Sequence, residues 1–264
     1  MEVLEGIQDK LADEDFDLNI YNIKPVDNIF EQVENTIKRG MAEGYVIVSV
    51  HLKDHEWKAL KRLGVPIALV DEYSSYFDSV SVDSVEGAYN ATKWLIDQGY
   101  ERIAMIRGLE NSKPVIDRIT GYKRALEDSG KMVDESNIVT GKNLDRDGFN
   151  EINGYEAMSR LLEMENPPDA CISNSDVQAI GAMKAMQESG CQIPILGFDD
   201  IQLSRFFGLS TMRQPMADMG SMAIEKLLHR INHRDAKVSH IVYSPELFLR
   251  SSTNGNPEAE KILS

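Results

Sequence analysis

Cysteine is scarce in this sequence, which contains only Cys171 and Cys191 among its 264 residues. The two cysteines form no CxxC pair and have no histidine cluster beside them. A disulfide framework and a cysteine-based zinc site are therefore excluded. Since reduced thiols are typical of the cytoplasm, we expect a cytoplasmic protein.

Basic residues are also few, with 28 Lys and Arg against 43 Asp and Glu, for a formal net charge of −15. Binding to a phosphate backbone needs clustered Lys and Arg side chains. We therefore expect no nucleic-acid-binding surface on these residues.

Long apolar segments are absent, since no stretch reaches the roughly 18 apolar residues of a membrane span. The first residues lack the basic and apolar regions of a secretory leader. We expect no contact with a membrane and, for the sequence as given, no export.

Signatures of catalysis are missing as well. The sequence has no glycine-rich phosphate loop and no nucleophile elbow. His51 and His55 have helical spacing, but no HExxH frame surrounds them, which argues against a metal pair. We therefore expect a protein that is not an enzyme and that holds no metal or cofactor.

What the sequence does contain is an alternation of short apolar runs with longer amphipathic segments. This pattern is typical of βα units around a parallel sheet, and the length suits one large domain or two small ones. The predicted strands are residues 16–21, 45–50, 66–70, 102–106, 169–172 and 193–198. The predicted helices are residues 2–11, 85–98, 115–129, 154–164, 177–189 and 216–231. Near the end, residues 240–243 and 246–250 predict two successive strands separated by Pro245.

Two segments carry a family signature. Residues 195–200 have the sequence ILGFDD, and residues 209–215 have the sequence LSTMRQP. They resemble the GxDD turn and the LTTxxQP strand of the LacI/GalR transcriptional regulators, at about the family's separation. Supporting matches lie in order along the chain at residues 82–83, 87–88, 94–95, 99–103, 118, 121–122, 154–155, 175–176, 179–181 and 250–253.

The resemblance implies a type I periplasmic-binding-protein-like fold, in which two doubly wound α/β lobes with parallel sheets are joined by three crossovers. By this likeness, residues 1–81 and 215–244 form the N-terminal lobe, and residues 82–214 and 245–264 form the C-terminal lobe. Because the chain opens on a helix, we expect the first strand of the N-terminal lobe to be missing. The family's helix-turn-helix and hinge helix find no match in these residues.

The same resemblance implies a binding protein for a sugar, a sugar phosphate or a similar polyhydroxylated effector. Effector binding between the lobes would close them and control operator DNA through a homodimer, using a headpiece that this chain lacks. An exported or membrane-tethered sugar-binding protein of a transport system is the alternative, since that class shares the fold. The missing leader argues against it.

Two candidate effector-binding residues follow from the signature and from their own surroundings. Asp199 ends a predicted strand, where open α/β sheets place ligands, although a turn or cap role is the alternative. Asp200 is expected to cap the next helix. Arg118 near a helix start opposes the helix dipole, which favours a ligand over a surface ion pair with Asp117 or Glu127.

Four further positions complete the predicted site. By the resemblance, Ser175 faces the ligand, where the family usually has asparagine, while Asp176 is mainly structural. Asp71 ends a predicted strand of the N-terminal lobe, and Gln214 lies on the second crossover. Phe149 matches the family's aromatic stacking position, but a role in the core is an equal alternative.

Overall fold

The computed structural model describes residues 2–24, 28–110 and 113–253. The chain divides into two compact units. The first unit comprises Met1–Val82 and Pro215–Tyr243, and the second comprises Asp83–Gln214 and Ser244–Ser264. The chain therefore passes from one unit to the other three times.

Helices and strands alternate along most of the described chain. The helices are α1 (Glu2–Leu11), α2 (Ile29–Lys38), α3 (Asp54–Lys61), α4 (Ser84–Asp97), α5 (Lys113–Asp128), α6 (Glu151–Leu162), α7 (Asp176–Ser189), α8 (Gln202–Phe206) and α9 (Met216–Asn232). The strands are β1 (Tyr45–Val48), β2 (Ile67–Val70), β3 (Asp78–Val82), β4 (Ile103–Ile106), β5 (Ile138–Val139), β6 (Ala170–Ser173), β7 (Ile195–Asp199), β8 (Ser210–Arg213), β9 (His240–Tyr243) and β10 (Glu246–Phe248).

The first unit contains a parallel sheet in the order β1-β2-β3-β9. Successive residues of β2 point to opposite faces, so each face can take its own helical layer. Ile67 and Leu69 belong to a cluster that includes residues of α2 and α3. Ala68 belongs to a cluster with residues of α1 and α9, and Val70 packs with α9 residues. Helices thus cover both faces, as the continuous apolar strands predict.

The predicted strand at residues 16–21 is wrong, because residues 15–24 form neither helix nor strand. Among the described residues, β1 is the end strand of the sheet and pairs with β2 alone. An extended segment becomes a strand only where a neighbouring backbone supplies hydrogen bonds, and residues 16–21 have no such neighbour in this sheet.

The second unit contains the larger sheet, in the order β10-β8-β7-β6-β4-β5. All of its pairs are parallel except β10 with β8. One face packs against residues of α4 and α5, and the other packs against residues of α6 and α7. The α/β class with parallel sheets is therefore confirmed. The strands on either side of Pro245 also form, β9 in the first unit and β10 in the second.

Glycine allows the close approach of α6 and α7 over this sheet. A Cβ atom built on Gly154 of α6 would lie 1.9 Å from the carbonyl oxygen of Gln178 on α7. The reverse contact is similar, since a Cβ on Gly181 would lie 1.9 Å from the carbonyl oxygen of Glu151. Only glycine fits at these two positions without moving a helix backbone.

Within the described part of the chain, no helix is both long and apolar enough to cross a membrane. The same residues contain no group of three or more His, Cys, Asp or Glu side chains placed to hold a metal ion.

Candidate functional site

The carboxyl edge of the sheet in the second unit collects the polar side chains that follow its central strands. Asn174 comes directly after β6, Asp199 ends β7 and Gln214 comes directly after β8. These three strands are neighbours in the sheet. Open α/β sheets bind ligands at this edge, because the strand ends and the following loops leave a crevice there.

Arg118 reaches the same edge from α5, although α5 begins after a different strand, β4. Its side chain is buried, and its guanidinium lies 3.7 Å from the ring centre of Phe198. One terminal nitrogen, Nη1, donates a hydrogen bond to the backbone oxygen of Asn174. The other, Nη2, lies 3.7 Å from Oδ1 of Asp199. The stacked ring and the backbone acceptor fix the orientation of the guanidinium.

Asp199 is also held by Gln214. The amide nitrogen Nε2 of Gln214 donates to Oδ1 of Asp199 over 2.6 Å, and the two backbones are joined by a hydrogen bond of 3.3 Å. The backbone of Asp199 has a φ of 120°, which L-residues rarely adopt. Strain of this kind persists where surrounding contacts determine the conformation, and it is common at ligand sites.

Two buried amides at this edge have hydrogen-bonding groups that no described residue satisfies. Both Nδ2 and Oδ1 of Asn174 lack a partner, and so does Oε1 of Gln214. Asn174 has no exposed surface at all, and Gln214 is 6% exposed. A buried amide group without a partner costs roughly 1–3 kcal/mol. A bound molecule with hydroxyl groups would both donate to and accept from these atoms.

Comparisons with known proteins match this architecture. The family model described as a periplasmic binding protein-like domain matches residues 92–253. An HTH-type transcriptional repressor PurR of Vibrio atlanticus is 30% identical over 263 residues, which are 95% of this chain and 76% of the relative. The chain belongs to the LacI/GalR family.

A second relative and two solved structures are also similar to this chain. A PurR repressor of Haemophilus influenzae is 37% identical over 66% of this chain and 53% of its own length, so the chain spans about half of it. The solved complex of the transcriptional regulator CelR with cellobiose has a TM-score of 0.84 at 23% identity, covering 95% of this chain and 78% of that one. A LacI family regulator of Enterococcus faecium with bound ribose has a TM-score of 0.82 at 23% identity, covering 96% and 92%.

The PurR proteins of Vibrio atlanticus and Haemophilus influenzae are transcriptional repressors and not enzymes or transport proteins. This LacI/GalR chain is therefore an effector-binding domain with the fold of periplasmic binding proteins. The alternative of a transport protein finds no support among these relatives.

Ser175 and Asp176 have different surroundings in this LacI/GalR domain. Ser175 is the N-cap of α7, with its hydroxyl 3.3 Å from both the backbone nitrogen and Oε1 of Gln178. That hydroxyl is already engaged, whereas the amide of Asn174 beside it is not. Asn174 is therefore a further candidate, which the sequence pattern did not single out, and the predicted ligand role of Ser175 stays a prediction. The position of Asn174 directly after a predicted strand was the available signal.

Asp176 is fully buried inside the second unit and accepts three hydrogen bonds. Its carboxylate accepts from the backbone of Ile201 at 3.0 Å, from Ser204 at 2.5 Å and from Thr211 at 2.6 Å. Burial, with a smaller effect from the nearby charge of Asp200, raises the pKa of Asp176 from 3.8 to about 6, although the three hydrogen bonds act in the opposite direction. These contacts fit a role in structure.

Asp200 does not cap a helix, contrary to the expectation from sequence. The N-cap of α8 is Ile201, and no side chain caps this end. Asp200 is instead a buried carboxylate that accepts from Nε of Arg213 at 2.6 Å and lies 2.7 Å from Nη2 of Arg250. It ties β8 to the segment after β10, at positions too distant in sequence to be anticipated.

The two remaining predicted residues, Phe149 and Asp71, have different surroundings. Phe149 is partly buried and packs against the core cluster that contains α4 and α5 residues. Asp71 belongs to the first unit, where it follows β2 with a φ of 58° and lies 3.4 Å from the hydroxyl of Ser49. Asp71 also stands at the carboxyl edge of a parallel sheet, so its predicted ligand role stays a prediction.

Proposed function

We propose that the carboxyl edge of the second unit is the sugar-binding site of a LacI-type transcriptional repressor. The observation that carries the proposal is the set of buried amide groups without partners on Asn174 and Gln214, beside Arg118 and Asp199. A sugar presents adjacent hydroxyls that donate and accept within a small volume. It could satisfy a carboxylate, a guanidinium and two amides together.

A neutral sugar suits this site better than a sugar phosphate. Arg118 is the cation of the group, and Asp199 lies 3.7 Å from it. A phosphate at the same place would meet the negative charge of Asp199, whereas a hydroxyl can donate to that carboxylate. Cellobiose and ribose, the ligands of the two solved relatives, are both neutral.

The proposed site also includes three residues in lesser roles, Ser175, Phe149 and Asp71. Ser175 would orient Asn174 through the cap of α7, and Phe149 would cover the apolar face of the sugar ring. Asp71 would add a contact from the first unit.

For regulation, we propose that the sugar closes the two lobes and changes the operator affinity of a cytoplasmic homodimer. A DNA-binding headpiece outside these 264 residues would contact the operator.

The test is binding of a sugar panel to the 264-residue chain, by calorimetry and by thermal shift. Ribose, cellobiose and glucose are compared with ribose 5-phosphate and glucose 6-phosphate. We expect one neutral sugar to bind and to raise the melting temperature, because a ligand that binds only the folded state stabilises it.

Two variants locate the binding. Asn174→Ala and Asp199→Asn each remove hydrogen bonds to the sugar, at about 1–3 kcal/mol each, so affinity should fall roughly 5- to 150-fold. Asn174→Ala should leave the stability of the free protein nearly unchanged, because the lost amide has no partner there. Asp97→Asn, on the exposed part of α4, is the control. Unchanged affinity in both site variants, or no binding by any sugar of the panel, would refute the proposal.

A further inference from the structure

Two histidines lie one turn apart at the carboxyl end of α9, in the first unit. His229 is in the last turn of this helix, and His233 is its C-cap. Both residues are exposed. Their rings are in contact, with centroids 4.5 Å apart and planes inclined by 20°. Since residues four apart at a helix surface are neighbours, the two imidazoles form a pair that solvent can reach.

The two ring nitrogens of His233 have different roles. Nδ1 lies 3.2 Å from the backbone oxygen of His229. A carbonyl oxygen can only accept, so Nδ1 carries the proton in this contact, and the neutral ring then has its lone pair on Nε2. Histidines that bind metals are held in the same way, because such a hydrogen bond fixes the tautomer and orients the ligand nitrogen.

The His229 ring can turn toward the same ion. Within the described part of the chain, this ring stacks on His233 and makes no hydrogen bond or ion pair. Rotation about χ2 of histidine is broad, so the ring can reorient. Imidazole nitrogens bind Zn²⁺ at about 2.0–2.1 Å, so two such atoms on one ion lie roughly 3 Å apart. Because the rings are already in contact, both Nε2 atoms can reach one ion.

The backbone beneath the pair is fixed by Arg230, a buried side chain between the two histidines. Its guanidinium donates to the carboxylate of Asp78 at 2.8 and 2.9 Å. It also donates to the backbone oxygens of Ala236 and Lys237, just after the helix. The last turn of α9 and the chain that follows are therefore held together, and a preorganised pair of ligands loses less conformational freedom on binding.

The electrostatic surroundings favour a cation. The carbonyl groups at the carboxyl end of a helix carry partial negative charge, and the pair lies at this end of α9. The chain as a whole has a formal net charge of −15, which also attracts cations. Glu225 lies one turn before His229, but its carboxylate is 3.4 Å from Lys10. The chain therefore offers two imidazole donors at this place.

We propose that His229 and His233 chelate one divalent transition-metal ion, with water in the remaining coordination positions. Imidazole suits Zn²⁺, Co²⁺ and Ni²⁺, whereas Mg²⁺ prefers oxygen ligands. Two histidines four residues apart on a helix supply two of the zinc ligands in the HExxH motif. The proposal departs from the expectation, based on sequence, that the chain holds no metal. It does not depend on the sugar site, which lies in the second unit.

The pair at His51 and His55 shows that the spacing alone is not enough. His51 precedes α3, and its Nδ1 lies 2.9 Å from the carboxylate of Glu72, whereas His55 is inside α3. The two side chains do not share a helix, so we expect no chelation there. His55 is exposed on a helix of the same unit and thus provides a matched control.

The test is calorimetric titration of the untagged 264-residue chain with the chlorides of Ni²⁺, Co²⁺, Zn²⁺ and Mg²⁺. We expect one Ni²⁺ ion per chain, bound more tightly than Co²⁺, and no binding of Mg²⁺. Zn²⁺ should also bind and raise the melting temperature, because it binds the folded state.

Variants of the chain locate the ion. His229→Ala and His233→Ala alter exposed residues, so both variants should fold. Each removes one donor and should weaken Ni²⁺ binding roughly 10-fold or more, since even the loss of a group behind a metal ligand can have that effect. His55→Ala should bind Ni²⁺ as the wild type does.

Three outcomes would overturn the proposal. One is the absence of saturable Ni²⁺ binding, and another is unchanged affinity in His229→Ala or in His233→Ala. The third is an equal loss of affinity in His55→Ala, which would show unspecific binding to surface histidines.

Discussion

Replacing Asp200 by asparagine should destabilise the second unit far more than the loss of a surface ion pair. The Asp200 side chain is 1% exposed, and its partner Arg250 is 3% exposed. Asparagine has nearly the same shape and tolerates the positive φ of 60° found here, so the backbone should not change. The variant removes the charge and leaves the buried guanidinium of Arg250 without its counter-ion. Breaking a buried pair in this way costs about 3–5 kcal/mol.

The assay is urea unfolding followed by tryptophan fluorescence. The sequence has two tryptophans, Trp57 in the first unit and Trp94 in the second. In a Trp57→Phe background, Trp94 alone reports the unfolding of the second unit. Asp97→Asn, which removes an exposed ion pair with Lys93 on α4, should cost no more than about 0.5 kcal/mol.

A double variant separates the ion pair from other effects of the substitution. Arg250→Met removes the second charge, so Asp200→Asn combined with Arg250→Met should be more stable than the sum of the two single losses predicts. A loss below about 1 kcal/mol for Asp200→Asn, or strict additivity in the double variant, would show that the pair is not the buried contact described above.

Two further predictions concern the interior of the second unit. The raised pKa of Asp176 should make stability fall as pH rises from about 4 through about 6, because the folded state favours the protonated form of this acid. Asp176→Asn should abolish this dependence. The difference in unfolding free energy between the wild type and the variant should then change by about 2 kcal/mol between pH 4 and pH 7. A constant difference would contradict the raised pKa. Gly154→Ala should lower the free energy of unfolding by about 1–3 kcal/mol, measured by urea unfolding. Alanine usually stabilises a helix relative to glycine, but here its Cβ would lie 1.9 Å from a backbone oxygen of α7. A stabilised variant would mean that α6 and α7 are not in close contact.

The strands that could be predicted from the sequence are those with continuous apolar runs, such as β2, β4 and β7. Strand β3 was not predicted, because Asp78, Ser79 and Ser81 interrupt its apolar pattern. Asp78 is buried there because Arg230 donates to it over 2.8 and 2.9 Å. A partner 152 residues away cannot be recognised from local pattern. The failure at residues 16–21 has the same origin, since a strand needs a neighbour that the local sequence does not specify.

The grouping of three candidate residues could be predicted from the sequence, while their role as ligand contacts stays a prediction. Asp199 contacts both Arg118 and Gln214 in the second unit. Asn174 was missed because the choice between it and Ser175 depends on which side chain caps α7 and which is left without a partner. The apolar and polar pattern around residues 174 and 175 does not specify which side chain forms the cap.

The position of Gln214 in the chain has a mechanical consequence. Gln214 is the last residue of the second unit before the chain enters the first, and the next residue is Pro215. The proline ring fixes its own φ, so rotation at this junction falls mainly on the ψ angle of Gln214. Under the proposed function, a sugar bound to the Gln214 amide would therefore contact the residue whose ψ angle sets the path of the chain from one unit into the other.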